Sequence, residues 1–191
     1  GYSMSFVNVH WVPYVTDLGF SQMVGAASFS LIGFWSILGV FTLGRISDQR
    51  GRRKILAFSY VLRAAGFAVV LISMAIHGSG LRGLELFILL AGVIIVGASW
   101  NAVVAITAAY AADRFGVSKL GTIYGSMFAV MPLGSGIGAA LGGYLFEFRQ
   151  SYDLAIISNV VFLAISAFLI LSIRERRRSL QDLSVPIIKS E

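Results

Sequence analysis

The stretch "GRISDQRGRRKIL", Gly44–Leu56, concentrates charge between two apolar segments. Residues 44–54 hold six charged side chains, whereas residues 21–43 before them hold none. Residues 55–79 hold a single charge, Arg63. Apolar runs of this length are typical of helices that cross a bilayer, because about 20 residues span its hydrocarbon core. The stretch therefore predicts a junction between two membrane-spanning segments, in the form of a charged loop.

The composition of the whole chain agrees with this interpretation. Of its 191 residues, 57% are hydrophobic and 13% are charged, and the mean hydropathy is +0.83. A soluble domain carries about 25% charged residues. A soluble chain of this size could not bury several long helices that are apolar on every face. The sequence therefore predicts an integral membrane protein.

Six apolar segments are long enough, or nearly long enough, to cross the bilayer. None shows the ten-residue alternation of polar and apolar positions that is typical of barrel strands, so helices are predicted. The predicted fold class is all-α integral membrane, with a six-helix unit over 1–173 and a basic, disordered tail over 174–191. The segments are about 1–16, 21–43, 55–77, 84–112, 120–146 and 152–173.

The positive charges predict the orientation of these helices. If the six segments alternate in direction, twelve of the fifteen Lys and Arg residues fall on one side, and only Arg82 and Arg149 fall on the other. Lys and Arg are retained preferentially in the cytoplasm. We therefore expect both ends of the chain to be cytoplasmic, in the plasma (inner) membrane. This asymmetry explains the net charge of +6 without nucleic acid, which is not predicted as a partner.

The spacing Gly44-x-x-x-Asp48-x-x-Gly51-Arg52-Arg53 resembles the signature loop of the major facilitator superfamily. That loop joins the second and third helices of a six-helix half, which is its position here. The stretches His10–Phe20, Ala111–Gly125 and Met131–Glu147 are similar to the C-terminal half of monocarboxylate and oxalate–formate type porters within that superfamily. The resemblance covers nearly all of the chain.

The resemblance implies that the chain is one half of a twelve-helix transporter, built as a 3+3 inverted repeat. It implies secondary active transport of a small organic solute by alternating access, driven by a proton or by exchange. The implied partners are the solute, the lipid bilayer and the missing N-terminal half. Organic anions and monocarboxylates are candidate solutes. However, Val40 stands where those porters carry an arginine, and Gln49 replaces a basic residue of the signature.

The signature loop is expected to act as a conformational latch in the outward-facing state. The assigned residues are Gly44, Asp48, Gly51, Arg52, Arg53 and Asp113. Arg52 would pair with Asp48 and Asp113, while Asp48 accepts from backbone N–H groups at the start of the fifth segment, near Gly121. Gly44 would permit a close helix crossing. The alternative is that these are solvated charges worth about 0–1 kcal/mol.

Polar side chains within the first and fourth segments are candidates for the solute or proton pathway. Ser3, His10 and Tyr14 follow one another at intervals of seven and four residues, so they share one helical face. Polar groups inside a bilayer often mark a pathway, and histidine titrates near neutral pH. Trp100 and Asn101 are further candidates. The alternative for His10 is a neutral ring that is hydrogen-bonded to a neighbouring helix.

The fifth segment combines small residues with a proline. Gly134, Gly138, Gly142 and Gly143 permit close helix packing, and Pro132 weakens the hydrogen-bond ladder. Both features predict a tightly packed helix that bends during alternating access.

The sequence also bears on classes of function other than transport. A non-transporting sensor or assembly protein with a transporter fold remains the alternative. An enzyme is not predicted, because an embedded hydrolase or metalloenzyme needs clustered ligands, whereas His10 and His77 lie far apart. Cysteine is absent, which removes thiolate chemistry. No metal or cofactor is expected. Arg63 is expected to find a structural partner or to snorkel, with contact to solute as the alternative.

Overall fold

The structure, a computed structural model, describes residues 1–173 and confirms the all-α class. The predicted tail at 174–191 lies outside the described residues. The helices are α1 (Tyr2–Asp17), α2 (Gln22–Arg50), α3 (Arg52–Ala75), α4 (Arg82–Ser99), α5 (Ala102–Phe115), α6 (Leu120–Ala129), α7 (Met131–Arg149) and α8 (Asp153–Ser172). A short 3-10 turn at Val117–Lys119 connects α5 to α6.

The eight helices of residues 1–173 form six paths, which are six passes of the chain through the unit, and these match the six predicted segments. Five paths are long and apolar enough to cross a membrane, and two of these are α4 with α5 and α6 with α7. The remaining path, α1, has 16 residues and is therefore about 24 Å long. The chain is thus a multi-pass helical membrane protein.

The prediction of a charged loop after residue 43 is wrong. α2 continues through the charged residues to Arg50, and α3 begins at Arg52. Gly51 alone separates the two helices, with a φ of +94°. That backbone conformation is strained for residues with a Cβ, so glycine is required at this position. The reversal of direction therefore occurs at one residue, and the signature charges lie on helical turns.

Two of the predicted segments are interrupted. The fourth is divided at Trp100 and Asn101, which lie between α4 and α5. The fifth is divided at Val130, between α6 and α7. Pro132, at the start of α7, has no N–H group to continue the ladder, which explains a break within the preceding turn. The fourth segment contains no proline, so its break needs a different cause.

The core lies around α3, which packs against α4 and α8. Its largest fully buried side chains include Phe6, Trp11, Phe67, Leu89 and Ile156. On the other side of the unit, α2 packs against α4, and α1 packs against α7. The buried side chains therefore concentrate around α3, whereas α6 buries no residue.

The expected close crossing at Gly44 is also wrong, because a Cβ added there would have no neighbour within 4 Å. The close crossing on α2 occurs at Gly39, one and a half turns earlier. A Cβ at Gly39 would lie 1.8 Å from the carbonyl oxygen of Ala98 on α4. Gly39 on α2 therefore permits this crossing, together with Gly97 on α4, where a Cβ would lie 2.9 Å from the carbonyl oxygen of Ile32.

Candidate functional site

Three of the predicted latch residues meet at one end of the helix unit. Arg52 Nη1 lies 2.6 Å from Asp48 Oδ1, and Arg52 Nε donates to Asp113 Oδ2. The Arg52 side chain is 24% exposed, whereas Asp48 and Asp113 are 61% and 60% exposed. The guanidinium therefore joins the end of α2 to the end of α5 across the start of α3. The structure thus brings together Asp48, Arg52 and Asp113, the three residues that the family resemblance placed in one latch.

The fourth expected partner of this network is not in contact with it. Within residues 1–173, no contact joins α2 to α6 or to the turn before it, so Asp48 does not reach Gly121. Arg53, next to Arg52, donates from Nη1 to the carbonyl oxygens of Leu171, at 3.3 Å, and Ile173. The two adjacent arginines thus connect the start of α3 to different helices, α5 and α8.

The polar face of α1 points into the six-helix unit. Ser3, His10 and Tyr14 are 7%, 8% and 1% exposed. His10 Nε2 donates to the carbonyl oxygen of Ala139 on α7 at 2.9 Å, and Tyr14 Oη donates to that of Val70 on α3 at 3.3 Å. These side chains therefore connect α1 to its neighbours, which is the structural alternative weighed for His10.

The fourth path places a candidate on an open surface. Asn101 is exposed at the interruption between α4 and α5, and its Nδ2 donates to Ser36 Oγ on α2 at 3.1 Å. Trp100, next to it, is buried. Sequence reasoning missed Asn8, which is exposed on α1 and makes no hydrogen bond through its side chain to any residue in 1–173. An amide in a membrane helix was the available signal, because such a group is costly in lipid.

The glycines of α7 lie against α1 as close packing requires. A Cβ at Gly138 would lie 2.6 Å from the carbonyl oxygen of Tyr2, and one at Gly142 would lie 2.8 Å from the His10 ring. Gly134 and Gly143 have more distant neighbours, at 3.5 and 3.9 Å. Two of the four predicted packing glycines therefore form the α1–α7 contact.

A charged cluster at the opposite end of the unit was not predicted. Glu85, whose side chain is 2% exposed, accepts from His77 Nδ1 at 2.9 Å and lies 3.4 Å from Arg82 Nη1. Arg82 also donates to the carbonyl oxygens of Leu18 and Gly19 in the α1–α2 turn, at 2.7 Å each. Its guanidinium lies over the Phe20 ring. The cluster therefore fastens the α1–α2 turn to the start of α4.

Arg82→Ala is expected to lower the free energy of unfolding by about 1–2 kcal/mol. The substitution leaves two backbone acceptors without their donor and removes one of the two partners of a buried carboxylate. The estimate is reduced because the Arg82 side chain is 50% exposed. Thermal unfolding of the detergent-solubilised full-length protein would measure the change.

Arg149→Ala is the matched control, because Arg149 is also 50% exposed and lies 3.4 Å from Asp153, across the turn between α7 and α8. An exposed pair of this kind is worth about 0.2–1 kcal/mol, and its loss leaves no backbone acceptor without a donor. Equal losses in the two variants would contradict the assigned role of Arg82.

Tyr152 lies near this cluster, in the turn between α7 and α8. Its ring stacks on Phe146, with centroids 4.4 Å apart. Desolvation by burial, together with the negative charge of Asp17, raises the pKa of the Tyr152 phenol. The phenol is therefore neutral at physiological pH. It lines a cavity of about 250 Å³ with Tyr14, Asp17 and His77.

The described residues show no constellation for bound-metal chemistry. Within 1–173, no three His, Asp or Glu side chains lie close enough together to hold an ion. The polar features of the unit are instead an ion-pair network at one end, a buried carboxylate cluster at the other and amides between them.

This helical membrane unit, with its signature ion pairs at a helix junction, defines the class of protein. The family model described as Major Facilitator Superfamily matches residues 1–188, so the chain belongs to the major facilitator superfamily. It is similar to the uncharacterized MFS-type transporter YcxA of Bacillus subtilis (strain 168), with 27% identity over 169 residues. The match covers 87% of this chain and 40% of the length of that relative.

Proposed function

We propose that this chain is part of a secondary active transporter that moves a small organic solute across a membrane by alternating access. The observation that carries the proposal is the match of the superfamily model to residues 1–188 of a six-path helical unit. The similar B. subtilis protein is itself named a transporter. Organic anions, including monocarboxylates, are the proposed solute class, on the resemblance of three sequence stretches.

The Asp48–Arg52–Asp113 network is proposed as the latch that stabilises the outward-facing conformation of the transporter. Its two carboxylates are mostly exposed, so its contribution to stability is small. An ion pair of this kind can form and break during a conformational change at little cost. Gly51 contributes by holding α2 and α3 at a fixed angle, and Arg53 contributes by anchoring α3 to α8.

Asn101 is proposed as the leading contact with the solute, with Trp100 beside it. Asn101 combines exposure with a position at a helix interruption, where backbone groups are also available. Ser3, His10 and Tyr14 are proposed as further polar groups of the solute or proton pathway, on α1. His10 remains a proposed proton site, although its bond to Ala139 requires a protonated Nε2.

The N-terminal half of the same transporter is the proposed partner of this unit. The chain spans 40% of the length of its relative, which leaves room for a second unit. Large apolar side chains are exposed along α2 and α7 and are available to lipid or to such a unit. They include Phe34, Ile37, Phe41, Leu133, Ile137 and Phe148.

Reconstitution of the full-length protein tests the proposed function. Proteoliposomes would be assayed for uptake of radiolabelled lactate, pyruvate, oxalate and formate, with and without an imposed proton gradient or internal exchange solute. Saturable uptake that Asn101→Ala reduces supports the proposal. Detection of no uptake or exchange, with folded protein in the vesicles, would favour the sensor alternative.

The orientation in the plasma membrane is a separate prediction. In the full-length protein without other cysteines, a Ser79→Cys thiol is expected to react with an impermeant maleimide from outside the cell. A Gln49→Cys thiol is expected to react only after permeabilisation. The reason is that most Lys and Arg residues lie on the side of Gln49. Labelling of both sites from the same side would contradict the topology.

A further inference from the structure

Arg63 is a buried cation in the middle of α3. It lies eleven residues after the start of the helix at Arg52 and is 3% exposed. Within 1–173, no carboxylate forms an ion pair with it. A cation in a membrane interior must be stabilised by other polar groups, because burial of a free charge is costly. The groups that stabilise Arg63 therefore indicate its role.

The stabilising groups come from the interruption between α4 and α5. Arg63 Nη2 donates to the carbonyl oxygens of Ser99, at 2.7 Å, and Trp100, at 2.6 Å. Its Nε lies 3.3 Å from Ser99 Oγ, and its Nη1 lies 3.3 Å from Ser3 Oγ. The guanidinium carbon also lies 5.0 Å from the centre of the Trp100 ring. Most of its contacts are thus with two consecutive residues.

These contacts explain why a segment without proline is interrupted. The last carbonyl groups of a helix have no intrahelical donor and need another partner. A sharp break in a helix usually has a proline or an inserted side chain as its cause. The guanidinium supplies donors where α4 ends, and its positive charge is favourable at the negative end of the helix dipole. Arg63 therefore acts as a C-terminal cap inside the membrane.

The capped residues adjoin the proposed solute contact. Asn101 follows Trp100 directly and is the last residue before α5. It is exposed, and its side chain reaches Ser36 on α2. Movement of the Ser99 and Trp100 carbonyls into a regular helix would rotate Asn101 about the helix axis. The direction of the Asn101 side chain therefore depends on the interruption.

We propose that Arg63 is a positioning residue that holds the α4–α5 interruption and thereby sets the exposure of Asn101. The proposal relies on the proposed function for the role of Asn101 as a solute contact. The position and exposure of Asn101 are observed in the structure. Arg63 itself is 3% exposed and lies against the Trp100 ring, and it also lines a cavity of about 300 Å³ with Ser3 and Trp100. The solute would bind at Asn101, on the exposed surface of the interruption. Arg63 would hold the interruption from the side of α3.

The reactivity of a thiol at position 101 tests the proposal. Residues 1–191 contain no cysteine, so an Asn101→Cys thiol has no background in this unit. In the full-length protein, with any other cysteines replaced, its rate of alkylation by N-ethylmaleimide would be measured. Arg63→Met is expected to lower this rate about fivefold or more, because the interruption closes when its cap is lost. Arg63→Lys is expected to lower it less, because an ammonium keeps the positive charge and a donor while it loses only the planar fork.

Ser30→Cys is the control site, because Ser30 is exposed on α2 away from the interruption. Its alkylation rate should stay within about twofold in the same Arg63 variants, since Ser30 lies six residues before Ser36, the residue of α2 that Asn101 contacts, and a local rearrangement leaves the rest of α2 intact. If Arg63→Met does not fold, the comparison is made with Arg63→Lys. An unchanged rate at position 101, or equal changes at positions 30 and 101, would overturn the proposal. Absence of solute uptake by the parent would instead contradict only the proposed function.

Discussion

Gly39→Ala is expected to destabilise the six-helix unit by about 3 kcal/mol or more, at the upper end of the usual cost of overpacking. The added methyl group would lie 1.8 Å from the carbonyl oxygen of Ala98. That oxygen belongs to the backbone of α4, so it cannot move aside as a flexible side chain would. The two helices must separate, and the contacts between α2 and α4 would be lost along the crossing. Thermal unfolding of the purified full-length protein should show a decrease in Tm of about 6 °C.

Gly44→Ala is the matched control in the same helix. A methyl group at Gly44 meets nothing within 4 Å. Alanine is favoured over glycine in a helix by about 0.8–1.0 kcal/mol, so this variant should be unchanged or slightly more stable. The two substitutions are chemically identical and differ only in what lies beside them. Similar stabilities of the two variants would show that α2 and α4 do not cross at Gly39.

The second large effect is expected for the ion-pair network. Arg52→Ala removes both ion pairs at once, and we expect transport by the full-length protein to fall about tenfold or more. A latch that contributes about 1.4 kcal/mol to one conformation changes the population ratio tenfold when it is lost. The free energy of unfolding should change by less than about 1 kcal/mol, because both carboxylates are mostly exposed. A large effect on transport with a small effect on stability distinguishes a latch from a structural pair.

Asp48→Asn and Asp113→Asn extend this test to the two partners. Each should impair transport, and each combined with Arg52→Ala should add little, because the residues belong to one network. Arg45→Ala is the control, since Arg45 is an exposed arginine on the preceding turn of α2. Transport at rates within twofold of the parent in all three network variants would contradict the latch. It would indicate that these charges set only the orientation of the helices in the membrane.

The sequence alone determined the class of protein and the number of its paths. Long apolar segments cannot be solvated by water, so length and hydropathy are sufficient to identify membrane helices. The four-residue spacing of Asp48 and Arg52 predicted their contact only for a continuous helix. In the structure they lie on α2 and α3, on either side of Gly51, and the reversal at Gly51 brings them together. The pairing with Asp113, 61 residues away along the chain, came from family resemblance and was not contained in the local pattern.

Only the tertiary structure decided the contacts, and hence the roles, of the individual small and polar residues. Glycine at positions 39 and 44 looks the same in sequence, and only the approach of α4 distinguishes them. Ser3, His10 and Tyr14 share a helical face, but periodicity does not say whether that face meets protein or an open surface. The interruption at Trp100 depends on Arg63 of another helix. These properties arise from contacts between residues far apart in the chain, which hydropathy and spacing do not encode.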